Sequence, residues 1–301
     1  MNSIRQQSQA ASAAFRLPLR DAVWRGMHGQ FAGQGSGSSL DFQDHRPYFP
    51  GDDPRHINWQ AYARTGNYTM KLYRQEVSPR VDLLIDTSAS MFIEEVKAVR
   101  VFELAAFCAE SALRLGAALR IHALDTTGIR LIPTEALLAD AAAALTPRQA
   151  PAAPKPAVTK TASPAALSAA RPELTRAPFR HGSLRVFISD LLFPSDLDGL
   201  RPLATGQGRG IVFAPWSEAE ASPAWDGNYH FEDIENGALE RRRVTPALLR
   251  RYKDAYARHF DTWRDAARRH GIRLARTGTG TALTRTLRSE ALPVGAVEPC
   301  A

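Results

Sequence analysis

The sequence has few of the residues and runs on which several protein classes depend. It contains two cysteines, Cys108 and Cys300, among 301 residues, which excludes a disulfide framework and a four-cysteine zinc site. No apolar run approaches the roughly 18 residues of a membrane helix, and the first residues lack the apolar core of a secretory signal. We therefore expect a cytoplasmic protein without a membrane segment.

Signatures of common enzyme classes are also missing. The eight histidines show no metal-ligand spacing, and the absence of a Gly-x-Ser-x-Gly elbow argues against an α/β-hydrolase triad. Residues 33–39, rich in Gly and Ser, lack the Gly-Lys-Ser/Thr of a phosphate-binding P-loop, so we interpret them as a turn. Candidate chemistry therefore has to be sought at the ends of the predicted strands.

The chain alternates short apolar runs with helical patterns. The apolar runs predict buried strands at residues 81–86, 118–124, 128–132, 184–190, 209–214 and 272–277. The helical patterns cover residues 94–115, 135–145, 197–203, 246–270 and 283–292. This alternation predicts an α/β fold with a doubly wound, mostly parallel sheet and helices on both faces. A segment rich in Pro, Ala, Thr and Ser is expected to form a surface insertion at residues 146–178.

Two of the predicted strands end in an acid, Asp86 and Asp190. In doubly wound folds, ligands bind beyond the carboxyl ends of the strands, near the point where the strand order reverses. Asp86 begins an Asp-x-Ser-x-Ser motif with Ser88 and Ser90, whose oxygens can converge from alternate positions of one loop. A carboxylate with two hydroxyls suits Mg²⁺ or Mn²⁺. The alternative is an aspartate that only caps the following helix.

This loop resembles the metal-ion-dependent adhesion site of von Willebrand factor A domains. The resemblance lies in VDLLIDTSASM at residues 81–91 and VFISDLL at residues 186–192. It implies a von Willebrand A-like sheet and a bound Mg²⁺ or Mn²⁺ held by Asp86, Ser88, Ser90 and Asp190. In that family a Thr from a middle loop completes the set. Its pattern, with Ala-Leu five and six residues after the Thr, fits Thr161, with Thr159 and Ser163 as rivals.

A narrower resemblance covers residues 35–292. The chain is similar to the family called domain of unknown function 58 in Arg46-x-Tyr-x-Pro-Gly-Asp-Asp-x-Arg-x-Ile-Asn-Trp59, Ala63-Arg-Thr-Gly66, Trp216-x-Glu218 and Phe231-Glu-Asp233. Asn58 stands where the family pattern has Asp. We expect four parts: a flexible or helical lead-in at 1–34, a signature segment packed on the core at 35–78, a von Willebrand A-like domain at 79–292 and a tail at 293–301.

The resemblance implies a function in protein assembly or maturation. Proteins of this family look like non-enzymatic, cation-dependent partners of MoxR-type AAA+ ATPases, which act on a protein client that the sequence does not name. One alternative is a Mg²⁺-dependent phosphohydrolase that uses Asp86, although Ser88 stands where such an enzyme has its acid. The other is a basic nucleic-acid-binding protein.

The nucleic-acid alternative rests on a formal net charge of +7 and on arginine clusters. The clusters are Arg241 to Arg243, Arg250 with Arg251, and Arg268 with Arg269. No recognised nucleic-acid-binding motif accompanies them, so we expect a solvated surface and no nucleic-acid partner.

The signature segment allows two interpretations. Arg46, Arg55 and Arg64 bracket Asp52 and Asp53. They form either a salt-bridged clasp that packs Trp59 onto the sheet or a surface on which a partner docks.

Overall fold

The structure is a computed structural model, and it describes residues 2–19, 40–75, 79–125, 128–146, 173–232 and 239–300. Contacts between residues divide the chain into two compact units. Unit 1 comprises Met1–Pro18 and Pro79–Ala301, and unit 2 comprises Leu19–Ser78.

The described residues form helices and strands throughout both units. The helices are α1 Asn2–Ala14, α2 Trp59–Thr65, α3 Glu95–Arg114, α4 Thr134–Ala139, α5 Ala141–Leu145, α6 Glu218–Ala221, α7 Pro246–Arg269 and α8 Leu283–Thr286. The strands are β1 Phe15–Arg16, β2 Leu40–Pro47, β3 Thr69–Gln75, β4 Arg80–Asp86, β5 Ala118–Asp125, β6 Gly128–Ile132, β7 Leu184–Ile188, β8 Arg209–Trp216, β9 Gly227–Glu232, β10 Leu239–Val244, β11 Arg273–Gly278 and β12 Glu298–Pro299.

Unit 1 is built on a six-stranded sheet of order β11-β8-β7-β4-β5-β6. All neighbouring pairs are parallel except β5 with β6. This confirms the predicted mixed α/β fold with a mostly parallel central sheet. The chain winds outward from β4 through β5 on one side and through β7 and β8 on the other. The loops after β4 and β7 therefore lie where the strand order reverses.

The central strands are buried on both faces, as their continuous apolar runs predict. One face packs Leu84, Phe187 and Val212 against Phe260 and Trp263 of α7. Side chains at alternate positions of a strand point to the opposite face. There α3 packs against β4, β5, β7 and β8, and α1 packs on α3. Helices therefore cover both faces of the sheet.

The long helix α7 begins and ends where the sequence predicts. Thr245 accepts a hydrogen bond from the Leu248 amide at 3.3 Å, with Pro246 at the first helical position. At the other end Gly271 has a φ of +64°, a left-handed conformation that terminates helices at little cost for glycine. The aromatic stripe enters the core through Phe260 and Trp263, as predicted.

Three sequence-based boundaries were wrong. The helix predicted at residues 135–145 is two helices, because Asp140 leaves the helical conformation and caps α5 by accepting from the Ala143 amide. The strand predicted to reach Asp190 ends at Ile188. Residues 197–203 form only a 3₁₀ turn at Arg201–Leu203. The C-terminal helix covers nearly the whole predicted range 283–292, as α8 followed by a π-helical turn at Leu287–Ala291.

The N-terminal helix α1 carried no clear pattern in the sequence. Its buried face contains Ser8 and Ser12, both of which donate hydrogen bonds to the carboxylate of Glu110 on α3, at 3.3 and 2.9 Å. A helix that buries hydroxyls lacks the apolar stripe on which the helix prediction depends. Strand β1 then pairs with β12, so both described ends of the chain meet in unit 1.

The structure describes only the two ends of the expected insertion. Of the expected insertion at residues 146–178, the structure describes Thr146 and residues 173–178, where a 3₁₀ turn buries Leu174. Arg241 to Arg243 lie on the exposed strand β10. Within the described ranges, no helix combines the length and hydrophobicity needed to cross a bilayer.

Unit 2 contains the antiparallel pair β2–β3 and the short helix α2. Arg46 donates two hydrogen bonds to Asp52, at 2.7 and 2.6 Å, while Asp53 accepts from the Arg55 amide. Asn58 caps α2 by accepting from the Ala61 amide, a function that Asn serves as well as Asp. Arg46, Asp52 and Asp53 therefore hold the turn of the signature segment. Trp59, which the clasp interpretation packs onto the sheet, is 57% exposed, and the docking interpretation stays open.

Candidate metal centre

The two strand-end acids are brought together by the pairing of β4 with β7. The parallel register places Ile85 beside Ile188, so the residues that follow each strand are also neighbours. The Ser189 hydroxyl donates to Asp86 Oδ2 at 2.7 Å. Asp86 and Asp190 therefore lie at one edge of the sheet, at the point where the strand order reverses, as the sequence predicts.

The loop after β4 turns back on Asp86. The Ser88 amide donates to Asp86 Oδ1 at 2.9 Å, and the hydroxyl oxygens of Ser88 and Ser90 lie 3.2 Å apart. Two adjacent ligands of an octahedral Mg²⁺ at about 2.1 Å lie about 3.0 Å apart. The two hydroxyls thus have a spacing that suits neighbouring positions on one ion.

The electrostatic environment of Asp86 is unfavourable for an isolated carboxylate. Complete burial and the nearby charge of Asp190 raise the pKa of Asp86 to about 6, against the lowering effect of its hydrogen bonds with Ser88 and Ser189. Two buried carboxylates that repel each other gain stability from a cation placed between them. The donor set, two hydroxyls and two carboxylates, is one that Mg²⁺ or Mn²⁺ prefers.

A buried lysine supplies part of the missing positive charge. The Lys97 side chain is 1% exposed, and its ammonium donates to Asp190 Oδ2 at 2.7 Å and to Glu220. Burial opposes the charge, but the two acids keep the pKa of Lys97 above its ordinary value. A lysine in the first turn of α3 is unfavourable for the helix dipole, so these tertiary contacts must stabilise it there.

Glu220 reaches the site from the end of β8. It forms a capping box with Ser217 at the start of α6, and the Tyr252 hydroxyl of α7 donates to its backbone carbonyl at 2.7 Å. Sequence reasoning missed both Lys97 and Glu220. The only signal was that Glu220 follows a predicted buried strand, as Asp86 and Asp190 do.

The residue after Asp190 is held in a strained conformation. Leu191 has a φ of 57°, which is unfavourable for a bulky side chain. Its carbonyl accepts from Trp263 Nε1 at 3.1 Å and lies 2.6 Å from His259 Nε2. Strained backbone is found at functional sites when the surrounding structure over-determines it. Here α7 fixes the loop that carries Asp190.

The structure brings together four of the five predicted ligands. Asp86, Ser88 and Ser90 share one loop, and Asp190 joins them from the next, although its two oxygens already accept from Lys97 and from the Leu192 amide. Thr161 lies outside the described residues. Within the described ranges, no group of three or more His, Cys, Asp or Glu side chains is arranged to hold a metal, so an ion here would depend on the hydroxyls.

Comparison with known families assigns the chain. A model described as protein of unknown function DUF58 matches residues 44–262. The chain belongs to the DUF58 family. This confirms the narrower of the two resemblances. The DUF58 match runs from β2 to α7, so it includes the Asp86 loop, Lys97, Asp190 and Glu220.

Three mycobacterial proteins are similar to this DUF58 chain over most of its length. Each is 28% identical over 285 residues, which cover 90% of this chain and 81% of the relative. They are the uncharacterized proteins Mb1516 of Mycobacterium bovis, MT1527 of Mycobacterium tuberculosis strain CDC 1551 and Rv1480 of Mycobacterium tuberculosis strain H37Rv.

Proposed function

We propose that this DUF58 protein is a non-enzymatic module that binds partner proteins through a divalent cation, on a sheet of the von Willebrand A type. The observation that carries the proposal is the close pair of hydroxyls on Ser88 and Ser90 beside the buried carboxylate of Asp86. They lie where ligands bind in doubly wound sheets.

The protein side chains have distinct tasks in this proposal. Ser88, Ser90 and Asp86 hold Mg²⁺ or Mn²⁺ from one loop, Asp190 adds its charge from the next, and Thr161 is the proposed contributor from a third. When bound, the ion offers an open position to a carboxylate of a partner protein. Ser189 and the Ser88 amide orient Asp86, since each donates to one of its oxygens.

The charge balance at this edge supports a divalent ion. Lys97 pairs with Asp190 and Glu220, while the nearby carboxylate of Asp86 accepts from the neutral Ser88 amide and Ser189 hydroxyl. The three carboxylates therefore carry more negative charge than this ammonium neutralises. Buried charge without compensation is costly. One divalent cation would neutralise the excess.

The proposed partner is a MoxR-type AAA+ ATPase, which acts on a protein client. Either the ATPase remodels a client that this protein presents, or the ion site itself binds the client. This part rests on the family resemblance. A binding role is preferred to phosphate ester hydrolysis because Ser88 occupies the position at which the phosphohydrolase alternative needs a general acid.

Thermal denaturation in Mg²⁺ and Mn²⁺ tests the ion site. An ion that binds only the folded protein raises the melting temperature as its concentration passes the dissociation constant. We expect this rise in the wild type and its loss in Asp86→Asn. Asp125→Asn is the matched control, because Asp125 ends the neighbouring strand β5 and should leave the rise intact.

Two results would overturn the ion site. One is a wild-type melting temperature that responds to MgCl₂ no more than to NaCl of equal ionic strength. The other is an undiminished response in Asp86→Asn and in Ser88→Ala.

Partner binding needs a second experiment. The purified chain is immobilised and exposed to a purified MoxR-type ATPase of the same genome, with Mg²⁺ or with EDTA. Retention that requires Mg²⁺ and is lost in Ser88→Ala supports the proposal. Retention that is equal in EDTA would make the interaction independent of the cation.

A further inference from the structure

The opposite end of the sheet contains a cavity that the proposed function does not use. It has a volume of about 330 Å³ and lies beside the starts of β7 and β8. Its lining includes the side chains of Thr175, Phe179, His181, Arg185 and Thr205. The volume is at the lower end of the range of about 300–1,000 Å³ that is common for small-molecule sites.

Arg185 brings a buried positive charge to this cavity. The residue is 3% exposed. Its guanidinium donates to the carbonyls of Pro202 and Arg180, at 2.6 and 3.1 Å, and to the Thr205 hydroxyl at 3.3 Å. All of these acceptors are neutral. Nε has no hydrogen-bond partner among the described residues, but it lies against Gly208, outside the cavity lining. Nη2 donates to one carbonyl and lies beside Gly206 of the lining, so it has a second N–H to offer a ligand in the cavity.

The nearest acid does not pair with Arg185 directly. Asp82 lies opposite Arg185 in the sheet, but its oxygens accept from the Arg180 amide and Nε, at 2.8 and 2.7 Å, and from the Ser183 hydroxyl at 2.7 Å. Among the described residues, Asp82 therefore forms its ion pair with Arg180 and not with Arg185. Buried guanidinium groups are normally paired with an acid, so this edge has an excess of positive charge.

The backbone is shaped around the guanidinium. A Cβ atom at Gly208 would lie 2.5 Å from Arg185 Cζ, and one at Gly206 would lie 3.4 Å from Nη2. Phe179 contacts the same group, with Arg185 Cζ 4.8 Å from the ring centroid. The guanidinium is therefore held in a fixed position at the wall of the cavity.

We propose that this cavity binds a small anionic molecule, with Arg185 receiving its phosphate or carboxylate group. His181 and Thr205 supply further polar contacts, while Phe179 and Leu174 accommodate an apolar part of the ligand. A phosphate and a carboxylate share the chemistry that a guanidinium recognises. The site is separate from the proposed cation site, because the two lie at opposite ends of the strands.

Calorimetric titration and thermal denaturation of the full chain test the site. The probes are sodium phosphate and sodium acetate, each compared with sodium chloride at equal ionic strength. We expect phosphate or acetate to bind saturably and to raise the melting temperature above the chloride value. Stronger binding of phosphate assigns a phosphorylated ligand, and stronger binding of acetate assigns a carboxylated one.

Three variants locate the binding. Arg185→Met should weaken it about tenfold or more, the loss expected for a hydrogen bond to a charged group. His181→Ala changes an exposed residue, so it keeps the test valid if Arg185→Met does not fold, and it should weaken binding several-fold. Arg201→Met removes an exposed arginine from the neighbouring turn and should have no effect.

The proposal fails on either of two outcomes. In the first, phosphate and acetate both act no differently from chloride. In the second, the folded variants Arg185→Met and His181→Ala bind these anions as tightly as the wild type. Neither outcome depends on Mg²⁺, so it leaves the proposed cation site untouched.

Discussion

The carboxyl end of the central sheet gathers acids around one buried lysine, whereas the amino end places two arginines, one of them buried, beside one buried acid. At the first, Lys97 contacts Asp190 and Glu220. At the second, Asp82 binds Arg180 and lies opposite Arg185. The same six strands therefore support a negative site and a positive site at their two ends.

This difference shows how one sheet can carry charge of opposite sign at its two ends. Each end has more charge of one sign than its protein partners neutralise, and incompletely neutralised buried charge reduces stability. A cation at one end and an anion at the other would each recover that cost. Substituting the residues that balance the charge at each end of the sheet tests this comparison.

The largest effect is expected at the carboxyl end. Lys97→Met leaves Asp190 and Glu220 buried without their counter-charge, which should lower the free energy of unfolding by about 3–5 kcal/mol. Urea denaturation without divalent ions measures it. Lys253→Met, at an exposed position of α7, should stay within about 0.5 kcal/mol of the wild type. Equal stabilities of the two variants would mean that the buried lysine does not balance this edge.

A smaller loss is expected at the amino end. Asp82→Asn removes the one carboxylate that faces Arg180 and Arg185, but the Arg180 side chain is 16% exposed and water can partly solvate it. We expect a loss of about 2–3 kcal/mol, below that of Lys97→Met. Urea denaturation again measures it. A larger loss than in Lys97→Met would reverse the proposed order of the two ends.

Glycine variants examine the packing of the amino end. Gly208→Ala places a Cβ against the Arg185 guanidinium and should cost about 1–2 kcal/mol through overpacking. Gly280→Ala is the matched control, since a Cβ there meets nothing within 4 Å and should be neutral or slightly stabilising. Thermal and urea denaturation compare them. Similar free energies of unfolding for the two variants would show that the Arg185 side chain can move away from the added methyl group.

The partly exposed pair of Arg46 and Asp52 in unit 2 provides the smallest effect. The hydrogen bonds from Arg46 and from the Phe49 amide lower the pKa of Asp52 to about 2. Arg46→Gln should move this pKa upward, toward its ordinary value, because the larger contribution is removed. Carboxyl carbon NMR titration reads it directly, and Arg55→Gln, whose guanidinium does not touch Asp52, is the control. An unchanged titration would mean that the pair does not form in solution.

The sequence predicted the central strands better than their exact limits. The runs at β4, β7 and β8 are mostly apolar because both faces of these strands are covered, and this composition identifies a buried strand without tertiary information. The residues at which helices and strands end depend on competition between nearby hydrogen-bond partners. Asp140 interrupts a helix because its side chain accepts a hydrogen bond from the Ala143 amide. Ser189 lies outside β7, and its hydroxyl donates to Asp86.

The candidate metal loop could also be predicted, since Asp86, Ser88 and Ser90 stand at alternate positions where a strand ends. Asp190 could be added because carboxyl ends of parallel strands share one edge. Lys97 and Glu220 could not be assigned, because 123 positions separate them and only the packing of α3 beside β8 makes them meet.

The sequence by itself determined the local framework: which segments are buried strands, where α7 begins and ends, and which loop carries carboxylate and hydroxyl oxygens together. Local hydrophobic pattern and hydrogen bonding within a few residues are sufficient for these. Only the tertiary structure decided the charge at each end of the sheet. Whether Lys97 or Arg185 is solvated or buried, and which acid it faces, depends on strand order and helix packing over distant parts of the chain.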